Sequence, residues 1–344
     1  METAVETGAA AEATTAASTM RAAVRERFGA PKDVVEVREL ERPVPGDEEV
    51  LIRVRAASLN IADWYGVVGR PYVGRAMGVG LRGPKELRIG TDYAGVVEGV
   101  GKQVTEFSRG DEVCGARTGA LAEYVVGRAD RAIVHKPANV SFEQAACVAV
   151  AGTTALQALR DRGGVQPGQK VLVNGASGGV GTMIVPIAKA LGADVTAVCS
   201  TRNVEQARSL GADRVVDYTQ EDFTRSGERY DLLLDVAGNR SWRELKRVLA
   251  PEAALVLVGG PRTNRLLGPL GGVIRKRLAG VWNSQTVTFF IAKLNKEDME
   301  VLRGMLEAGK LTPVIDRRYE LSEVAEAFEY MGEGHCRSKI VVTM

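Results

Sequence analysis

Residues 171–183 read VLVNGASGGVGTM, and how this stretch is read decides the fold. It is the densest run of small residues in the chain. Before it, KVLVNG (170–175) is a short valine-rich run, the pattern of a strand buried on both faces. After it, GVGTMIVPIAKALG (179–192) has apolar residues at helical spacing. The turn between them lacks bulky side chains at Gly175, Ala176, Gly178 and Gly181. A backbone so bare can approach a pyrophosphate closely, and the first N–H groups of the helix point at the anion. Tight packing of helix on strand is the other reading of such a turn. The strand–turn–helix context favours a dinucleotide, held by Gly175, Ala176, Ser177, Gly178, Gly179, Val180 and Gly181.

The next strand, DVTAVCS (194–200), bears on which dinucleotide. About 20 residues after the turn, an NAD site places an acid on the ribose 2′-hydroxyl. Here the strand ends in Ser200, Thr201 and Arg202, and Asp194 lies at its opposite end. Hydroxyls and a guanidinium suit a 2′-phosphate, whereas a carboxylate would repel it. The expected cofactor is NADPH. The alternative for Arg202 is a solvated residue that merely opens the following helix.

Working outward, residues from Met20 to about Asn139 are β-rich. DVVEVREL and EVLIRVRAAS alternate apolar and polar residues, and YAGVVEGVG is a short β-branched run cut by glycine. This predicts a small, irregular antiparallel barrel. At Ser141 the rhythm changes: SFEQAACVAVAGTTALQALRD reads as a helix with a Ser-x-Glu start. Strands and helices then alternate to about residue 291, which predicts a parallel sheet covered by helices, an α/β fold. Two further helical stretches and a closing strand, KIVVTM, end the chain.

The totals narrow the function. A length of 344 residues suggests two domains and allows a large core. The net charge of +2, with no aromatic–basic stripe, argues against nucleic acid. Cys114, Cys147, Cys199 and Cys336 are scattered and the chain has two histidines, so neither a disulfide framework nor a structural zinc knot is expected. A cytoplasmic location fits that usage. No apolar run reaches 18 residues, so no integral membrane segment is expected. Residues 1–19 lack the basic start and apolar centre of a signal peptide and the arginines of a transit peptide, and they read as a disordered tail.

Together, RPVPGDEEVLIRVRAASLNIADW, GTDYAGVVEGVG, AGTTALQAL, GASGGVG, LGADRVVDY, AGKLTPVIDRRYEL and GHCRSKIVV resemble the medium-chain dehydrogenase/reductase superfamily in its zinc-independent quinone oxidoreductase branch. The resemblance covers nearly all of 20–344. It implies a GroES-like catalytic domain (20–143 and 294–344) around an inserted Rossmann NADPH-binding domain (144–293), with the substrate cleft between them and a homodimer as the assembly. The positions that hold catalytic zinc in relatives correspond to Asn60, Thr91 and Val150, none of them a good zinc ligand, so no metal is expected. Without a Lewis acid, the chemistry that remains is hydride transfer to a quinone or to an enone or enal. That transfer needs positioning and a donor near the oxygen.

By the same resemblance, Asn60 lies beside the nicotinamide ribose and Tyr65 projects into the cleft as a donor and proton source. A ring that only shapes the pocket, with water giving the proton, is the other reading of Tyr65. Tyr72 is a second cleft residue. Thr154, Tyr218, Gly259 and Gly260 complete the cofactor set. The chain departs from the family at Ser338, where glycine is frequent, and Lys339 receives no role. Residues 67–90 are expected to form a lid. Residues 261–282, with Arg265, Arg275, Lys276 and Arg277, read as a crossover helix with a solvated basic face, or as a peripheral membrane contact. SQTVTFFIA (284–292) reads as an edge strand whose pairing with its copy would make a dimer. A crystallin-like NADPH-binding protein with little turnover is the alternative function.

Overall fold

The computed structural model describes residues 19–75, 80–260, 269–280 and 284–344. The expected tail falls outside these apart from Thr19, as do parts of the lid and of 261–282.

The N-terminal strands follow the alternating pattern of their sequences. β1 (Thr19–Val24) and β2 (Glu36–Glu41) pair as an antiparallel ribbon. β3 (Glu49–Ser58), β4 (Asp92–Val100), β5 (Glu112–Ala116), β6 (Tyr124–Arg128) and β7 (Ile133–His135) pair antiparallel around a core that includes Ile52, Tyr93 and Val125.

The parallel sheet follows. β8 (Lys170–Asn174), β9 (Asp194–Cys199), β10 (Arg214–Asp217), β11 (Tyr230–Asp235), β12 (Leu249–Leu257) and β13 (Thr286–Phe289) are all parallel, in the order β10-β9-β8-β11-β12-β13. Val171, Leu172, Val173, Leu233 and Leu234 are fully buried because helices cover both faces, which is why these strands read as unbroken apolar runs. The order reverses between β8 and β11, and ligands of such sheets bind at the strand ends beside that reversal. The glycine turn lies there. β10 and β13 are the sheet's two edge strands.

The chain then returns to the first domain. β14 (Ile315–Glu320) runs parallel to β15 (Lys339–Thr343), and β15 pairs antiparallel with β3, Val341 opposite Ser58. The last residues thus complete the first sheet, and Lys339, at the start of β15, is carried to the seam between the two domains.

Three sequence expectations change. The stretch from Ser141 is broken: a helix over Phe142–Ala145, then a second over Ala149–Gln157 that runs on as a π-helical turn, Ala158–Arg162. Its cap partner is Gln144 rather than Glu143: Ser141 Oγ accepts from Gln144 N (3.2 Å) and Gln144 Oε1 accepts from Ser141 N (3.0 Å). The second helix starts afresh because Asp92, from β4, accepts the Val150 N–H at 3.0 Å and so caps it from outside. Among the alternating elements, the helix before β12 is short, Trp242–Lys246, and Leu249 already enters β12; the Arg229 guanidinium takes the carbonyls of Arg247 and Leu249 where the helix stops.

The third change concerns 261–282. A helix spans Pro269–Gly280, but its basic run is not uniformly solvated. Arg275 and Arg277 are exposed, whereas Lys276 is buried against Asp235 at the end of β11. Lys276 is therefore withdrawn from the solvated basic face.

Candidate active site

The cradle forms because glycine alone fits it. Gly175, directly after β8, has φ +96°, a conformation L side chains rarely adopt. Its N–H and that of Ala176 both bond to Val198 O, at 3.2 and 3.1 Å, which turns the chain across the end of β9. A Cβ on Gly181 would collide with the Gly175 carbonyl and come within 2.8 Å of Ala176 Cα. Gly178 faces nothing closer than Gly175 O at 3.8 Å, so backbone is bare there. The Gly181–Ala190 helix follows, its buried Met183, Ile184 and Ile187 anchoring it. Ser177 and Val180 are half-buried between these points. A bare turn at a helix N-terminus fits a dinucleotide pyrophosphate.

Ser200, Thr201, Arg202 and Tyr218 come together where β9 and β10 end, Tyr218 N donating to Cys199 O at 3.0 Å. Ser200 Oγ accepts from Asn203 Nδ2 at 3.1 Å. Thr201 is committed elsewhere: its hydroxyl donates to Asp217 Oδ2 at 2.5 Å and lies 2.9 Å from Thr219 Oγ1. Arg202 is exposed, with Nη2 donating to His335 O across the domain seam at 2.8 Å. Tyr218 is about half exposed. The groups left to face a phosphate are the Ser200 hydroxyl, the remaining Arg202 N–H groups and the Tyr218 ring.

A second, buried constellation lies beside the cradle. Asn60 precedes the Ile61–Val68 helix, and its N–H donates to Asp63 Oδ2 at 2.9 Å. Asp63 Oδ1 accepts from Thr91 Oγ1 at 2.6 Å. Burial pushes the Asp63 carboxyl up to about 6, against the opposing pull of the Thr91 bond, with Asp92 adding repulsion. Lys339 Nζ donates to Asn60 Oδ1 at 2.6 Å and to Asp92 Oδ2 at 3.2 Å. Asp92 also accepts from Ser58 Oγ (3.3 Å) and Val150 N (3.0 Å). The positions aligned with zinc ligands, Asn60, Thr91 and Val150, thus converge, and they surround a lysine ammonium and two carboxylates.

One atom in this network is unpaired. Asn60 Nδ2 is buried with no hydrogen-bond partner. An orphaned buried donor costs about 1–3 kcal/mol, so the arrangement is more stable once a ligand oxygen accepts from it.

The other expected residues are more dispersed. Tyr65 is half-buried on the Ile61–Val68 helix, its ring edge-on to Trp64. Tyr72 lies beyond the helix end, less than half exposed, with the Arg75 guanidinium over its ring. Thr154 spends its hydroxyl on Val150 O at 2.7 Å. Past β12, the N–H groups of Val258 and Gly259 donate to Asp235 O, and a Cβ on Gly259 would collide with the Val236 carbonyl. Gly259 therefore crosses tightly over the end of β11, and Gly260 follows it.

Sequence reasoning missed Asp63, Asp92 and Lys339. Asp63 carried a signal, an acid three residues after a capping Asn. Asp92 stood within GTDYAG, next to Thr91. A surface cleft of about 740 Å³ beside Trp242, Arg243 and Arg247 opens at the amino-terminal ends of the strands, away from this site.

Comparison with known proteins agrees with this architecture. Residues 46–138 match the alcohol dehydrogenase GroES-like domain family, and 210–342 the family described as zinc-binding dehydrogenase. The chain is 32% identical over 340 residues to the chloroplastic quinone-oxidoreductase QR1 of Triphysaria versicolor, covering 94% of this chain and 98% of that protein. It is 32% identical over 310 residues to the 2-methylene-furan-3-one reductase of Solanum lycopersicum, covering 86% and 72%. The solved quinone oxidoreductase of Coxiella burnetii superposes with a TM-score of 0.81 at 28% identity, covering 95% of this chain and all of that one.

Proposed function

Because the chain belongs to the medium-chain dehydrogenase/reductase superfamily, with quinone oxidoreductases among its relatives, we propose that it is a zinc-independent, NADPH-dependent reductase of quinones or α,β-unsaturated carbonyl compounds. The observation that carries this reading is the glycine cradle lying against the buried Asn60 network, where an unpaired amide donor awaits an oxygen.

The donor set argues against zinc. Asn60, Thr91 and Val150 offer an amide, a hydroxyl and an aliphatic side chain where zinc needs thiolates or imidazoles. The Asn60 carbonyl oxygen is also engaged by a cation of the chain's own. The cradle, by contrast, fits NADPH, and Ser200, Arg202 and Tyr218 supply groups suited to its 2′-phosphate. Bound in reduced form, that cofactor supplies a hydride.

The chain's residues do the rest. As an acceptor carbon gains hydride, negative charge collects on the conjugated oxygen. A fixed N–H donor lowers the energy of that charge without reorganising. Tyr65 then gives the oxygen its proton. Two copies joined along the β13 edge would complete the assembly, and the scattered, unpaired cysteines suit the cytoplasm.

The test follows absorbance at 340 nm with NADPH or NADH against 9,10-phenanthrenequinone and a short enone. Oxidation favouring NADPH supports the reading, and the better acceptor identifies the substrate class. No oxidation, with NADPH still raising the melting temperature, would replace it with a binding protein that does not turn over.

A further inference from the structure

We infer that Lys339 is a positioning residue, which locks the Asn60 carboxamide so that its NH2 is presented to the carbonyl oxygen of the bound acceptor. This deepens the reductase reading and rests on it.

The orientation follows from hydrogen-bond chemistry. An ammonium has three donors and no acceptor, so the Asn60 atom 2.6 Å from Lys339 Nζ must be the amide oxygen. The NH2 is thereby turned to the other side, where it is buried and meets no protein acceptor. A carboxamide free to flip could offer either end; this one offers donors alone. The cation pulling on Oδ1 also polarises the amide and strengthens its N–H as a donor.

Lys339 is itself held in place. Its side chain is 2% exposed, and Asp92, fully buried, holds the ammonium at 3.2 Å. Asp92 is in turn fixed by Ser58 Oγ and Val150 N. The lysine stem runs beside Gly179, where an added Cβ would stand 3.4 Å from Lys339 Cδ. Next to it, Ser338 Oγ lies 2.8 Å from Thr182 Oγ1 on the helix of the cradle. The residue that sets Asn60 is thus registered to the same turn that would set the cofactor.

Asn60→Asp is the decisive variant. It keeps the size of the side chain and the contact with Lys339 and replaces the NH2 by an oxygen, at the cost of a third carboxylate near Asp63 and Asp92. Asn60→Leu, which removes the donor without adding a charge, is the second variant and should lose kcat alike. We expect kcat with phenanthrenequinone to fall by about 10²-fold, with NADPH affinity, read by fluorescence titration, and melting temperature both held. Retained kcat overturns the inference. Lost NADPH affinity with kcat unchanged also overturns it, because the donor would then serve the ribose.

The role of Lys339 is read from a double-mutant cycle with Asn60→Ala and Lys339→Met, or Lys339→Gln should methionine unfold the chain. If the lysine acts through Asn60, its replacement lowers kcat in the wild type and changes it less than about twofold in the Asn60→Ala background. Additive losses overturn the positioning role. The wild type is assayed first: an inactive wild type that binds NADPH removes the reductase reading and this inference together, whereas an active Asn60→Asp removes the inference alone.

Discussion

Lys276 and Asp235 form a buried ion pair, Nζ to Oδ2 2.5 Å, that ties the Pro269–Gly280 helix to the end of β11. The other carboxylate oxygen accepts from Asn174 Nδ2 at 2.8 Å and Gly238 N at 2.9 Å. Asn174 is the last residue of β8 and directly precedes the glycine turn. The helix is therefore coupled to the cradle through one carboxylate. Lys276→Met should leave that carboxylate buried and uncompensated, at a cost of about 3–5 kcal/mol. Adding Asp235→Asn should recover most of the loss, since the amide oxygen can still accept from Gly238 N. Urea unfolding of the single and double variants checks both steps. A single variant as stable as the wild type would mean that the pair is solvated.

The cradle makes its own prediction. Gly181→Ala would force a Cβ into the Gly175 carbonyl, which is backbone and cannot rotate away. The turn must open, and the NADPH-induced rise in melting temperature should be lost. Gly304 is the control: it lies in the Lys296–Glu307 helix with nothing within 4 Å of an added Cβ. Gly304→Ala should instead stabilise by up to about 1 kcal/mol and leave NADPH binding unchanged.

The Asp63 carboxyl gives a pH dependence with a definite sign. Burial raises it from 3.8 to about 6, so the folded protein holds this proton more tightly than the unfolded chain does. Its contribution to stability is full below about pH 4, falls as the pH rises through 6 and is constant above. The whole change is at most about 3 kcal/mol. Asp63→Asn removes the titration. The stability of wild type relative to this variant should therefore drop between pH 4 and about 6.5. A difference that stays flat over that range would show a carboxylate ionised throughout.

Under the proposed function, Tyr65 should separate the two acceptor classes. Protonating an enolate needs a placed acid more than reducing a quinone does, because a semistable quinol oxyanion can take its proton from water. Tyr65→Phe should lower kcat for the enone by about 10²-fold and leave phenanthrenequinone within a few-fold. Equal retention of both activities would reduce Tyr65 to a wall of the pocket.

What could be read from sequence was what is local in it. The cradle occupies consecutive residues from Gly175 to Gly181, and strand, turn and helix each announce themselves by period. Asp63 was legible in principle, three residues from its partner Asn60. Lys339 was not: it meets Asn60 across 279 residues, because β15 returns to pair with β3. In sequence it is a lysine beside an apolar run, and nothing local says that its ammonium turns inward. Lys276 misled for the same reason. Its neighbours Arg275 and Arg277 are solvated, and only the partner on β11 makes the residue between them buried. Asp92 as the cap of a helix from another domain is likewise a contact of the tertiary structure alone.

The proposed preference for NADPH rests on the end of β9. Ser200 and Arg202 are the groups there not already taken up by a carboxylate, since Thr201 gives its hydroxyl to Asp217. Ser200→Asp would set a negative charge against a 2′-phosphate while offering an acceptor to a 2′-hydroxyl. The NADPH dissociation constant should rise by at least about tenfold and that for NADH should fall. Arg202→Ala removes a charge-assisted contact worth about 1.5–3 kcal/mol, so NADPH affinity should drop by about 10- to 100-fold. It also removes the bond to His335 O, which both cofactors would feel alike. The ratio of the NADPH to NADH dissociation constants isolates the phosphate contribution. If Arg202→Ala weakens both equally, the arginine is a strut across the domain seam, and the 2′-phosphate reading of this strand end fails.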